Sequence, residues 1–352
     1  MATVGIIEGA AEGMTSITKI VSGMTSDWLG RRKPIVLLGY VLSAVNKLLF
    51  PLAGDASVVL VARVIDRVGK GMRDAPRDAF LTDVTPAPIR GSGFGLRLAF
   101  YTTGFVVGPL AAIGLMRLSG DDVRLVFWIA VIPAAIAIIV QLAALKEPPR
   151  PPTPAWPSLQ IQPGALAHFP APFWWALTIA SLLSLARFSP AFLVLKANQI
   201  GVDAAYVPIM LVLMHVVYAA AAYPFAALAD RIERRVQLAM GAVILVLAAI
   251  VLAVADVFWM AAFGAALWGL QMGITQGLLS ASVADAAPEH LRGTAFGTYE
   301  LAVGTAAFIA NAGAGALWMF SGPRLTFGVG AAIAAATLLI CSLARLRKPS
   351  GV

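Results

Sequence analysis

Apolar runs recur along almost the whole chain, broken by short polar turns. A helix rises about 1.5 Å per residue, so roughly 20 apolar residues cross the hydrocarbon core of a bilayer. Eleven such segments are expected, at 3–26, 34–53, 57–80, 92–117, 124–145, 172–195, 205–229, 236–255, 257–283, 294–319 and 325–344. The pattern predicts an all-α integral membrane protein. One break stands apart: residues 146–171 are crowded with proline, which lacks an amide donor and cannot continue a helix. That stretch is read as a cytoplasmic linker between an N-terminal bundle, 1–145, and a C-terminal bundle, 172–352.

Polar positions inside the apolar runs are few and ordered. The densest set lies at 63–83, RVIDRVGKGMRDAPRDAFLTD. Arg63, Arg67, Lys70, Arg73, Arg77, Asp66, Asp74 and Asp78 fall within roughly 140° of arc at about 100° per residue, and Asp83 closes the stretch. A charge at bilayer depth costs at least about 2.5–3.5 kcal/mol, so this stripe must face partners or water. It is either a salt-bridged helix tip or the wall of a polar pathway.

A second polar face lies in the first span, with Glu8, Glu12, Thr15, Lys19 and Ser22. Glu8 and Glu12 are one turn apart and crowd each other. A carboxyl that takes up a proton near neutral pH is what proton coupling requires. Glu12 and Glu300 are the expected proton carriers. Structural pairing with Lys19, Arg97 or Arg63 is the alternative. Arg97 and Arg187 are further deep arginines, and the spans together hold nine cations against six anions. That surplus points to an anionic substrate.

An internal repeat organises the chain. DVTPAPIRGSGFG at 83–95 matches DAAPEHLRGTAFG at 285–297, with Asp83, Arg90 and Gly91 meeting Asp285, Arg292 and Gly293 at an offset of 202. GMTSDWLGRRK at 23–33 matches AALADRIERRV at 226–236 at an offset of 203, pairing Asp27 with Asp230 and Arg31 with Arg234. Two like-oriented halves follow, a parallel repeat about an axis along the membrane normal. At the same offset, the span 172–195 has its counterpart upstream of Met1. The chain is therefore expected to lack the first helix of a twelve-helix, 6+6 arrangement, leaving 5+6. The upper part of the charged stripe has no twin: Arg63, Asp66 and Lys70 become Ala265, Trp268 and Met272 at the offset of 202. Arg63, Asp66, Arg67 and Lys70 are hence the first candidates for substrate and coupling work, with Glu8, Glu12, Arg97, Arg187 and Glu300 beside them.

Basic residues fix the orientation. Thirteen lie in one set of loops, among them Arg31, Arg32, Lys33, Arg90, Arg234, Arg292 and the tail, and four in the opposite set. The richer side is expected to be cytoplasmic, and the C-terminus with it. With 59% hydrophobic and 12% charged residues, the net charge of +8 reads as this asymmetry, not as nucleic-acid binding. One cysteine, Cys341, and three scattered histidines give no disulfide frame or metal-ligand spacing. No phosphate-cradling loop or nucleophile motif occurs, so neither an enzyme, an ATP-driven pump nor a resident cofactor is expected.

The run Gly23, Asp27, Gly30, Arg31, Arg32, Lys33 resembles the signature loop of the major facilitator superfamily, and Asp230–Arg235 resembles a degenerate copy. RVGKGMR at 67–73 and GFVVGP at 104–109 resemble that family's fourth-helix and exporter motifs, although Ala112 and Ile113 stand in place of the latter's trailing glycine pair. The fourth-helix version is similar to that of a bacterial subgroup in the drug and metabolite exporter branch. The resemblance implies two pseudo-symmetric helical bundles and alternating access. It also implies a cytoplasmic gate cluster of Asp27, Arg31 and Asp83, repeated as Asp230, Arg234 and Asp285. The expected protein is a monomeric, multi-pass secondary transporter of the cell inner (plasma) membrane. It would move a small organic solute, anionic by the charge surplus, coupled to protons, with export favoured over uptake. A non-transporting sensor or scaffold, or an inactive truncated transporter, is the other reading.

Overall fold

The computed structural model describes residues 15, 17–52, 56–120, 122–147, 169–202, 207 and 209–343, without the side chains at 56, 57, 59, 60, 63, 109, 113, 342 and 343. Glu8, Glu12, the Arg63 side chain and most of the linker lie outside these. All regular structure among the described residues is helical. The helices are α1 (17–28), α2 (Lys33–Leu52), α3 (Ala56–Val84), α4 (Arg90–Leu118), α5 (Val123–Ala144), α6 (Ala171–Ala186), α7 (Ala191–Gln199), α8 (Ile209–Leu228), α9 (Arg234–Val254), α10 (Phe258–Ala286) and α11 (Arg292–Leu343). Among the described residues, seven helical stretches are long and apolar enough to cross a membrane. The charged α3 is not among them.

Local chemistry sets the helix ends. Asp122 caps α5, its carboxylate accepting from the backbone N–H groups of Arg124 and Leu125 at 2.9 and 3.1 Å. Pro86 follows α3 and starts a short 3₁₀ turn, Ala87–Ile89, leading into α4. The apolar run 172–195 is not one helix. It breaks at Arg187, whose backbone (φ −111, ψ 84) leaves the helical region, and resumes after Pro190. Proline removes one ladder donor and biases the residue before it away from helix. α11 has a break of another kind. Gly322 at φ 74 and ψ −179, next to Pro323, divides it into the two runs expected at 294–319 and 325–344. That backbone angle costs a side chain dearly, and glycine adopts it freely.

Two compact units emerge. Unit 1 contains the chain to Val84, Pro109–Phe169 and Ala287–Leu301; unit 2 contains Thr85–Gly108, Pro170–Ala286 and Ala302–Val352. The N-terminal parts of α4 (90–108) and α11 (292–301) therefore each lie with the other half of the sequence. In unit 1, α2 packs on α3 and α5. The α2–α3 crossing is close: a Cβ on Gly39 would stand 2.6 Å from the Gly69 carbonyl oxygen, and one on Gly69 would stand 2.9 Å from that of Gly39. Small residues permit such a crossing, the usual device for helices that pack without a hydrophobic drive. In unit 2, α10 is the central helix and packs on α6, α7, α8 and α9.

Candidate functional site

α1 ends in a tight turn through Gly30, at φ 63. The turn points the Asp27 carboxylate at the start of α11, where the first backbone N–H groups have no intrahelical acceptor. Asp27 accepts from the N–H groups of Gly293 and Thr294 at 2.9 and 2.6 Å, and from the Thr294 hydroxyl at 2.9 Å. A carboxylate there also meets the positive end of the helix dipole. Its cation is Arg32, with Nη1 2.9 Å from Asp27 and Nε 2.6 Å from Asp83. Arg292 donates to the other Asp83 oxygen at 2.8 Å. Thus Arg292, Asp83, Arg32, Asp27 and the α11 N-terminus form one chain of charge-assisted hydrogen bonds inside unit 1.

Unit 2 repeats the arrangement with the halves exchanged. Asp230 accepts from the N–H groups of Gly91 and Ser92, both at 2.9 Å, and from the Ser92 hydroxyl at 2.7 Å. Those amides begin α4. Arg234 and Arg90 both donate to Asp285.

The cation of the first cluster differs from the expected one. Arg31 is exposed, whereas Arg32 is fully buried. The reason is a one-residue difference in loop length. Asp27 and Asp230 are related by 203 residues, but Asp83 and Asp285 by 202. The extra residue lies in the first loop, so beyond it Arg32 corresponds to Arg234. Sequence reasoning did not place Arg90, Arg292, Ser92 and Thr294 in these clusters, and read the first two only as repeat matches and orientation signals. Their repetition within RGS and RGT was the available clue.

Two helix ends are tied beside the first cluster. The Glu147 carboxylate accepts from the backbone N–H groups of Arg32 and Lys33, at the start of α2. The Lys33 ammonium donates to the carbonyls of Leu142 and Leu145, at the end of α5, at 3.0 and 2.7 Å. Each charge sits at the helix terminus of opposite sign.

The lower part of the charged stripe is paired within unit 1. Lys19 meets Glu300 at 2.6 Å and Asp74 at 3.8 Å. Arg77 meets Asp74 and Asp78 at 3.1 and 3.0 Å. Arg73 donates to the Ser43 hydroxyl at 2.9 Å and lies 4.8 Å from the Tyr40 ring centroid. Ser22 donates to the Gly71 carbonyl at 2.9 Å. Asp66, Arg67 and Lys70 are half-buried on α3. Gly23 lies against the Gly293 carbonyl, leaving no room for a Cβ.

Unit 2 holds a second polar set. Arg187 donates to Gln271 at 3.2 Å, and Gln271 to the Thr275 hydroxyl at 3.0 Å. The Tyr218 hydroxyl donates to Gln276. His215 meets the Leu211 carbonyl at 2.7 Å and stacks on Phe105 at 5.2 Å. Arg97 lies 5.9 Å from the Phe94 ring centroid. Among the described residues, no group of three or more His, Cys, Asp or Glu could hold a metal ion.

Comparison with known proteins gives these geometries a context. The family model described as "Major Facilitator Superfamily" matches residues 1–194 and 174–352. An uncharacterised MFS-type transporter of Methanocaldococcus jannaschii is 30% identical over 341 residues, which is 94% of this chain and 83% of that protein. Among solved structures, the human organic anion transporter MFSD10 superposes with a TM-score of 0.79 at 18% identity, covering 96% of this chain and 83% of the other. The Escherichia coli fucose:proton symporter FucP gives 0.78 at 17% identity, covering 97% and 91%.

Proposed function

Because this chain belongs to the major facilitator superfamily, we propose that it is a secondary active transporter that carries a small organic solute by alternating access. The observation that carries the reading is the pair of reciprocal charge clusters. In each, the loop carboxylate of one sequence half grips the helix N-terminus of the other half: Asp27 on α11 and Asp230 on α4. Such clusters act as latches. Closed, they hold residues 1–145 and 172–352 together at the face that carries the basic loops. Broken, they let the two bundles tilt apart about the linker 146–171. The same face is cytoplasmic, the C-terminus lies on it, and the membrane is the cell inner membrane.

Proton coupling runs through Glu300, whose carboxylate pairs with Lys19 beside Asp74. A proton on Glu300 removes its charge and frees Lys19 from it, which links protonation to the contact between α1 and α11. Asp66, Arg67 and Lys70, half-buried on α3, are the candidates for contact with the solute in unit 1, and Arg97 and Arg187 are separate candidates in unit 2. The excess of cations over carboxylates in the spans, nine against six, favours an anion, and the superposed human protein is named for organic anion transport. Export is favoured by the GFVVGP run at 104–109. The protein works as a monomer.

The test is flux into proteoliposomes under an imposed pH gradient, across a panel of organic anions and hydrophobic cations. Gradient-driven movement of an anion is expected. Movement of cations alone overturns the anion assignment. A protein that folds and inserts but moves none of the panel favours a sensor or scaffold.

A further inference from the structure

Lys19 stands between two carboxylates that belong to different halves of the sequence. Glu300, from 172–352, holds its ammonium at 2.6 Å, and Asp74, from 1–145, lies 3.8 Å away. Among the described residues these are the two carboxylates within ion-pair distance of Lys19, and Lys19 is the ion partner of Glu300. The two oxygens of Asp74 differ. Oδ1 faces the Arg77 guanidinium at 3.1 Å. Oδ2 faces Lys19, roughly 1 Å too far for a charge-assisted hydrogen bond. It accepts no hydrogen bond among the described residues, although Asp74 is only 8% exposed. A buried carboxylate oxygen of this kind calls for a donor.

The packing around Lys19 favours one of the two sides. Ser22, one turn further along α1, donates to the Gly71 carbonyl at 2.9 Å, and a Cβ on Gly71 would stand 2.7 Å from the Thr18 Cβ. α1 and α3 are thus locked side by side within the first sequence half. α11 comes from the other half and meets α1 closely at Gly297, where a Cβ would stand 2.8 Å from the Ile20 Cα. The Glu300 contact differs from this packing in kind, because a proton can cancel it. The other ionisable groups around the pair are Asp78, Lys70, Arg73 and Arg77 on α3 and Tyr40 on α2. Glu8 and Glu12, earlier in the first span, lie outside the described residues. Arg77 also meets Asp78 at 3.0 Å, and Arg73 donates to Ser43.

We propose that Asp74 is a positioning residue for proton coupling, the seat that takes the Lys19 ammonium when Glu300 is protonated. Neutral Glu300 loses its Coulomb attraction for the ammonium, while Asp74 keeps its own. The ammonium then moves about 1 Å onto Oδ2. A tie between the two sequence halves becomes a tie within the first half. α11 is released from α1 at this level, and no unpaired buried cation is left behind. The move reverses when the proton leaves. The assignment deepens the proton-coupled reading of Glu300 above and rests on it.

Spin-label distances test it, in the full chain in nanodiscs without solute, with Cys341→Ser to remove the native thiol. Labels at Leu29, Val84 and His290, exposed positions outside the ion pairs, report the end of α1 against α3 and against the start of α11. Lowering the pH should lengthen Leu29–His290 and leave Leu29–Val84 unchanged. Glu300→Gln should hold the longer distance at every pH. Asp74→Asn removes the second seat, so the ammonium stays on ionised Glu300 and the proton must compete with it. The midpoint of the lengthening should then fall by about one pH unit, a tenfold change in proton concentration. Asp74→Glu keeps a carboxylate and should restore the midpoint to within about 0.3 unit. A folded Asp74→Asn variant with the parent midpoint overturns the proposal, since a residue that merely holds Arg77 would change stability and leave the midpoint in place. If that variant does not fold, the parent distances decide: both lengthening together, or neither responding to pH, overturns it. The expected distances with flux indifferent to a pH gradient count against the proton-coupled reading and leave the switch. Gradient-driven flux with a midpoint blind to Asp74 does the reverse.

Discussion

Arg292 donates to Asp83 at 2.8 Å, and Arg90, 202 residues before Arg292, donates to Asp285, 202 residues after Asp83. Each ion pair joins one sequence half to the other, so the internal repeat is carried into reciprocal contacts. This reciprocity makes loss of one cluster testable against the other. Asp27→Asn keeps one acceptor for the amides of Gly293 and Thr294 but gives up the charge that faces Arg32 and the helix dipole. Transport is expected to fall about tenfold or more while membrane insertion stays normal, and Asp230→Asn should act in the same direction. Flux per inserted molecule checks this; full transport in both variants would remove the latch.

The register of the first loop makes a sharper prediction. Arg32 is buried between Asp27 and Asp83, whereas its neighbour Arg31 is exposed. Removing one partner of a buried pair typically costs about 3–5 kcal/mol, and exposed charges contribute about 0–1 kcal/mol. Arg32→Gln should therefore lower the melting temperature in detergent by several degrees, and Arg31→Gln should leave it nearly unchanged. Equal effects would contradict the loop geometry.

These differences mark what was legible in the sequence. The clustered aspartates and Arg234 were readable because helix ends repeat with the same residues. Arg32 was not, because one extra loop residue shifts the register between the two matches and shape alone decides which arginine turns inward. The break at Arg187 was hidden by a hydropathy that stays high across Phe188 and the run after Pro190; only the proline signalled it. The exchange of the N-terminal parts of α4 and α11 was also hidden. A repeat reveals equivalent positions, but not which copy's helix N-terminus a carboxylate grips. The Glu300–Lys19 contact was foreseen only as an alternative to proton carriage, since helical periodicity assigns faces within a helix and not partners between helices.

Gly322 offers a local test. At φ 74 it occupies the left-handed region, and the space about its missing Cβ is open. The cost of a side chain there is conformational and not steric crowding. With ψ at −179 this is a conformation open essentially to glycine alone, so Gly322→Ala should destabilise by about 1–3 kcal/mol, and Gly322→Asn by no less, since asparagine's tolerance is for the αL basin. Chemical or thermal unfolding of the two variants ranks them; an alanine variant as stable as the parent would contradict the backbone conformation.

Lys19 and Glu300 lie 281 residues apart, and their side chains are 14% and 24% exposed, so water screens the pair only partly. Asp74, 3.8 Å from Lys19, gives the ammonium a second anion. Losing Glu300 therefore leaves Lys19 with a counterion, whereas losing Lys19 leaves Glu300 without its 2.6 Å partner. Lys19→Gln should consequently be the more harmful single change. A double-mutant cycle with Glu300→Gln should return a coupling of about 0.5–3 kcal/mol, as contacting residues usually do. The same cycle read in gradient-driven flux separates the two roles of the carboxylate. If Glu300 only holds α1 against α11, the Lys19→Gln, Glu300→Gln double variant recovers gradient-driven flux. If it carries the proton, that variant recovers stability but stays uncoupled, moving solute down its own gradient and ignoring the pH difference.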